Sequence, residues 1–279
     1  MKKISRRSFL AAAGLSVAAL ALTACCGSSA STASSVASSA ASSEAASTSA
    51  AAGELTTVEA GKLTMATNAA FPPYEMTTDA GEFEGIDIET AQAIADKLGL
   101  ELQIDDMDFD AALLSVQQGK ADIVMAGVTV TDERKAVMDF SDSYATGIQS
   151  IIVPEGSDIA SPDDLAGKKI GTQRGTTGYI YCTDDFGEDA VVAYDDGLTA
   201  VQALNNGQVD AVVIDNAPAQ EFIAANPGLK ILDTSYAEED YAIGMAKGSS
   251  LEDAVNAALK ELKADGTLQS IVDKYITAE

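Results

Sequence analysis

The chain has 279 residues, 17 basic against 43 acidic and no histidine, for a formal net charge of −26. Such a surface repels nucleic acid and anionic lipid. Without histidine there is no Ser-His-Asp or Cys-His catalysis and no His-ligated metal site, and three cysteines (Cys25, Cys26, Cys182) make no disulfide framework.

The first ten residues carry Lys2, Lys3, Arg6 and Arg7, and an alanine-rich apolar run follows, ending Leu22-Thr-Ala-Cys25. This is the pattern of a signal peptide over residues 1–24. Ser5-Arg-Arg-Ser-Phe-Leu10 resembles a twin-arginine export signal, and Leu22-Thr-Ala-Cys25 resembles the lipobox cut before a lipidated cysteine. Cleavage before Cys26 would put Thr23 where that motif wants an aliphatic residue, so Cys25 is the expected site of lipidation. Residues 8–24 are too few, and too small in side chain, to span a bilayer comfortably. Residues 27–53 are almost wholly Ser, Ala and Thr with Gly, a composition that buries no core and reads as a disordered tether. Loss of the signal removes four basic residues and no acid, which leaves 13 against 43 and a charge of −30. A water-soluble folded part, hung by lipid from the outer face of a cell membrane, is the expectation.

From residue 61 onward apolar strands alternate with helical patterns, the mark of an α/β protein. Strands are expected at 63–67, 100–104, 121–126, 149–153, 169–172, 191–193, 211–214, 230–232 and 242–246. Helices are expected at 88–98, 109–118, 131–138, 176–181, 198–205, 218–225, 251–264 and 268–275. Ser161-Pro162-Asp-Asp164 offers an N-cap with proline in the first turn, and Ser249-Ser-Leu-Glu252 reads as a capping box. The acid run Glu238-Glu-Asp240 reads as solvated loop. Cys182 reads as a packed or idle thiol.

One unit occurs twice. Val116-Gln-Gln-Gly119-Lys-Ala-Asp122-Ile-Val124 and Leu204-Asn-Asn-Gly207-Gln-Val-Asp210-Ala-Val212 share a helix end, a glycine cap, an aspartate and a buried strand. The repeat predicts two lobes of similar build, each with a loop after the repeated strand, 127–134 in one and 215–216 in the other. Ligands of open α/β sheets sit at such strand ends.

Arg134 is one of two arginines left once the signal is removed, the other being Arg174. It follows the expected strand end and N-cap of Ala126-Gly-Val-Thr-Val-Thr-Asp-Glu-Arg134. Free backbone N–H groups, a threonine hydroxyl and a guanidinium fork around one point suit a carboxylate. A cation in the first helical turn opposes the helix dipole, so helix stability gives no reason for it there. Asp215, at the end of the second repeat, offers an acid for the opposite wall or a cap for the helix that follows. A grip on one wall and an acid on the other match the two charges of a free amino acid. Two other signals fail. Asp106-x-Asp108-x-Asp110 opens like a calcium loop but has Ala111 for the needed glycine and Gln117 for the glutamate. Residues 171–178 lack the Gly-Lys-Ser/Thr ending of a phosphate loop. Arg174 has no reading beyond a ligand contact or a surface pair.

Seven segments in order carry a family resemblance: Thr67-Asn-Ala-Ala-Phe-Pro-Pro-Tyr-Glu75, Gly85-Ile-Asp-Ile-Glu89, Met107-Asp-Phe109, Ala126–Arg134, Asp139-Phe-Ser-Asp142, Gly175-Thr-Thr-Gly178 and Val209–Asp215. With them, residues 61–276 resemble the amino-acid-binding family of extracellular solute-binding proteins that feed ABC importers. Thr90 departs from the usual aliphatic residue, and Ile86 is aliphatic where an aromatic is common. The resemblance implies the two-lobed type II periplasmic-binding-protein fold, a mixed sheet flanked by helices in each lobe and a ligand cleft between them. It implies lobe 1 at 61–147 plus 238–279 and lobe 2 at 148–237. Arg134 would hold the α-carboxylate with Thr129 and with Thr176 or Thr177. Asp215 would accept the α-ammonium, with the Ala126 or Gly127 backbone assisting. Phe71, beside Tyr74, and Phe109 would sandwich the side chain, with Asn68 and Gln173 near its tip.

The expected protein is thus a monomeric, lipid-anchored binding protein without cofactor, metal or catalytic residue, whose partners are a free amino acid, a membrane permease and the bilayer. Asn68 and Gln173 place neutral polar side chains first and basic ones second, with Glu75 the feature that favours a basic ligand. Two other readings compete: a dehydratase of prephenate-type acids on the same scaffold, and a surface sensor or adhesin.

Overall fold

A computed structural model describes residues 55–276. The expected signal, the Cys25 lipidation site and the Ser/Ala tether lie outside the described residues. Among those described, no helix is long and apolar enough to cross a membrane.

Two sheets organise the chain. The first runs, from edge to edge, Glu101–Asp106, Lys62–Thr67, Ile123–Val124, Gly244–Ala246 and Met138–Phe140, with its first three strands parallel. The second runs Val191–Tyr194, Ile170–Gln173, Ala211–Asp215, Ala145–Pro154 and Leu229–Ile231, and Ala237–Tyr241 pairs with the other end of Ala145–Pro154. A small three-stranded sheet (Ala70–Phe71, Glu75–Thr77, Phe83–Glu84) stands beside the first. The chain passes between the two large sheets at residues 140–145 and 241–244.

Side chains alternate across each sheet, and helices cover both faces. Leu63, Met65 and Ile123 pack against helices Ile86–Leu98, Glu252–Ala264 and Thr267–Tyr275, while Ala66 and Val124 face helix Phe109–Gln117. In the second sheet Ile152, Val212 and Ile214 meet helices Gly197–Asn205 and Asn216–Ala225. Ile151, Ile170 and Val213 enclose Cys182, which lies on Thr177–Phe186. Burial pushes the Cys182 thiol up to about 12, which leaves it protonated and unreactive.

The sequence repeat is a structural repeat down to its hydrogen bonds. Gly119 N donates to Val116 O and Lys120 N to Ser115 O, and in the second copy Gly207 N donates to Leu204 O and Gln208 N to Ala203 O. Asp122 then accepts from Thr64 N at 2.7 Å and Asp210 from Lys169 N at 2.7 Å, each aspartate tying its joint to the neighbouring strand. Gly119 and Gly207 have φ of 66° and 67°, with open space where a Cβ would stand. Substituting either with alanine is therefore expected to cost only the left-handed backbone strain, about 1 kcal/mol. The two sites lie in different lobes, so the costs should add in the double variant. Denaturant midpoints check this; a neutral single substitution would contradict it.

Several elements differ from expectation. The strand expected at 121–126 is only Ile123–Val124, because Met125 to Val130 leave the ladder to form the loop below the site. The strand expected at 242–246 is only Gly244–Ala246, and a strand not expected, Ala237–Tyr241, precedes it in the other sheet. Met138, expected at a helix end, begins strand Met138–Phe140. Asp164 does accept from Ser161 N, as that cap requires. The capping box at 249–252 does not form: the helix starts after Leu251, and Ser249 Oγ accepts from Leu251 N instead.

Candidate functional site

The two sheets bring their strand ends to one cleft. It is lined by Asn68, Phe71, Glu75, Phe109, Ala126, Gly127, Thr129 and Arg134 from one side, and by Gln149, Gln173, Thr176, Thr177, Val213, Ile214, Asp215 and Tyr241 from the other. Of the twelve residues expected from sequence, eleven line it. Tyr74 does not: it is buried behind, stacked on Phe71 at 5.8 Å and edge-on to Tyr241 at 5.4 Å.

Thr131 caps the short helix Asp132–Val137 by accepting from Arg134 N at 3.2 Å, which turns the Arg134 side chain into the cleft. There it is 8 % exposed. Its fork donates to Thr129 O at 2.8 Å and, across the cleft, to Gly175 O at 3.1 Å, and the guanidinium lies 5.4 Å from the Phe109 ring centre. Burial lowers its pKa, yet an arginine stays charged. Its two acceptors are carbonyls, not carboxylates, so donors are left over for an anion.

Beside it Glu239 Oε2 accepts from Thr129 Oγ1 (3.1 Å), Thr177 Oγ1 (3.0 Å) and Gln149 Nε2 (2.9 Å). Glu239 is 6 % exposed, and its Oε1 has no partner among the described residues. The run 238–240 is therefore not a solvated loop. It lies in strand Ala237–Tyr241, where alternation turns Glu239 inward between two exposed acids. The two bonded threonines are among those expected to help Arg134 with a carboxylate, so a carboxylate already sits on them.

Asp215 caps helix Asn216–Ala225 through Ala217 N at 3.0 Å and also accepts from Ile148 N at 2.7 Å. Burial pushes its pKa up to about 6, against the pull of those two amides. Thr176 caps helix Thr177–Phe186 by accepting from Tyr179 N, which leaves Thr177 as the threonine whose hydroxyl reaches Glu239. Gln173 Nε2 donates to Asn68 Oδ1 at 2.8 Å, and Asn68 Nδ2 donates to Met107 O at 3.0 Å, so these two amides hold one another across the cleft. Arg174 points away, 57 % exposed and 3.8 Å from Asp195.

Glu75, Gln149, Val213, Ile214 and Tyr241 were not in the expected set. Glu75 is wholly buried, and neither of its oxygens meets a donor among the described residues. Burial and the nearby Asp87 carboxyl raise its pKa well above the usual range. Its position in the Phe-Pro-Pro-Tyr-Glu segment was visible in sequence; Gln149 and Tyr241 sit on the strands that join the sheets and carried no local signal.

The model for bacterial extracellular solute-binding proteins, family 3, matches residues 63–278. The L-cystine-binding protein TcyJ of Escherichia coli K12 is 33% identical over 226 residues, covering 79% of this chain and 85% of TcyJ. The arginine-binding extracellular protein ArtP of Bacillus subtilis 168 is 32% identical over 231 residues, covering 78% and 87%. The crystal structure of the arginine-, lysine-, histidine-binding protein ArtJ from Geobacillus stearothermophilus superposes with a TM-score of 0.75 at 34% identity, covering 78% of this chain and 96% of ArtJ.

Proposed function

This chain belongs to family 3 of the bacterial extracellular solute-binding proteins, and we propose that it captures a free amino acid in the cleft and delivers it to the permease of an ABC importer. The observation that carries the reading is the pairing of a buried Arg134 guanidinium, held only by carbonyls, with a buried Asp215 on the facing sheet. Fixed opposite charges recognise a zwitterion, and in a dry cleft each would be costly without its partner. Arg134, Thr129, Thr176 and Thr177 take the carboxylate, which displaces Glu239 from the two hydroxyls it holds. Asp215 takes the ammonium with the Ala126–Gly127 backbone. Phe71 and Phe109 flank the side chain, and Asn68, Gln173 and Glu75 meet a polar tip. The relatives named above are binding proteins by name rather than enzymes, which supports capture without turnover. A thermal-shift screen of the 20 amino acids on the tag-free folded part tests this; no stabilisation by any of them would refute it.

A lipid anchor would hold the chain at the outer membrane face beside its permease, and the Leu22-Thr-Ala-Cys25 motif supports one at Cys25. The chain then works as a tethered monomer beside its permease. Cys25→Ser is expected to leave the protein unprocessed or shed, and mass spectrometry of the mature N-terminus should find a diacylglyceryl group on Cys25 of the parent. An unmodified Cys25 would refute the anchor.

A further inference from the structure

Behind the cleft lies a second acid that the zwitterion grip does not use. Asp87, in the first turn of helix Ile86–Leu98, is wholly buried. Its Oδ2 accepts from Gly127 N at 3.0 Å and from the Tyr144 hydroxyl at 2.7 Å, while its Oδ1 has no donor among the described residues. Glu75 lines the cleft with neither oxygen bonded among the described residues, and the Asp87 carboxyl is near enough to raise its pKa. A fully buried carboxyl with no donor and a second acid beside it is held neutral, by a proton of its own. Asp106, Tyr74 and Tyr144 also face Glu75, and none supplies a cation.

The proton has a preferred place. Asp87 receives two hydrogen bonds and stands at a helix N-terminus, both of which favour its charged form. Glu75 is buried as deeply and receives none. From this geometry we infer that Glu75 is a specificity-determining proton donor: it keeps a proton beside a neutral side chain and surrenders it to solvent when a guanidinium or ammonium tip enters.

The inference rests on the amino-acid reading above and deepens it. A cationic tip forms an ion pair with Glu75 only in the deprotonated form, so its binding releases one proton. Below the raised pKa of Glu75, affinity for a basic amino acid climbs as pH rises, and it levels off once Glu75 is ionised in the free protein. A neutral amide tip accepts a hydrogen bond from protonated Glu75 and releases nothing. At low pH the site favours neutral polar amino acids, and at higher pH it favours basic ones.

Calorimetry with L-arginine and L-glutamine, in pairs of buffers of differing ionisation heat between about pH 5.5 and 7.5, counts the protons. Arginine should release close to one proton more than glutamine and gain on it up to about tenfold in affinity per pH unit, because the protons that both ligands displace from Asp215, whose pKa is about 6, cancel in the comparison. Glu75→Gln should abolish that excess release and flatten the arginine profile to the pH dependence that glutamine shows. Asp87→Asn keeps an acceptor for Gly127 and Tyr144 but removes the acid whose charge raises the Glu75 pKa, so the arginine profile should shift to lower pH. Arginine binding with no proton release beyond glutamine's, an unaltered profile in Glu75→Gln, or binding of glutamine alone at every pH would overturn the inference. If no amino acid binds at any pH, the functional reading fails and the inference falls with it.

Discussion

Arg134→Ala is expected to weaken binding of the free amino acid by about 2–5 kcal/mol, roughly 30-fold to a few thousand-fold, while the fold survives. The loss is large because the ligand carboxylate would be left desolvated against Thr129 and Thr177 with Glu239 close by, and no other cation among the described residues lines the cleft. The fold survives because Arg134 forms no salt bridge among the described residues, and the buried Glu239 beside it keeps its hydrogen bonds from Thr129, Thr177 and Gln149. Arg134 holds the carbonyls of Thr129 and Gly175, and water can replace it there. Arg174→Ala is the control. That side chain is 57 % exposed, so its effect should stay within about 0.5 kcal/mol. Asp215→Asn should cost affinity on a scale similar to Arg134→Ala, because the ammonium loses its counter-charge. Titration calorimetry of the three variants checks the set, and wild-type affinity in Arg134→Ala would refute the assignment.

Saturation at about 1,000 times Kd should add roughly 4 kcal/mol of apparent stability. The whole molecule should share the gain, because the cleft draws on both sheets and unfolding either one destroys it. Hydrogen bonds already join the sides, among them Arg134 to Gly175, Gln173 to Asn68, and Glu239 to both Thr129 and Thr177. A ligand adds to them, so small-angle scattering should show compaction on binding. A tight complex with an unchanged radius, or with only one of two unfolding steps moved, would contradict a two-walled grip.

What was legible in the sequence was what local rules write. The Gly119 and Gly207 joints each combine a helix end, a glycine and an aspartate within nine residues, so the repeat and its two buried strands could be read directly. Arg134 was legible because it breaks a rule, standing as a cation at a helix start where Thr131 supplies the cap. Glu239 was not legible. Its burial comes from pairing with Ala145–Pro154, about 90 residues away in sequence, and flanking acids disguise the alternation. Gln149 and Tyr241 were hidden for the same reason, since both lie on that pair of joining strands. The pairing of Glu75 with Asp87 is also non-local: each reads as an ordinary acid until the small sheet and the helix start are brought together.

The central claim is that the cleft grips both charges of a free amino acid. Calorimetry comparing L-arginine with agmatine, its decarboxylated analogue, tests it most directly, because the side-chain tip is the same and only the group assigned to Arg134 is missing. The account predicts measurable binding of arginine near neutral pH and agmatine weaker by at least about 30-fold, with Arg134→Ala closing most of that gap. Equal affinity for the two compounds, or a gap that Arg134→Ala leaves unchanged, would contradict it.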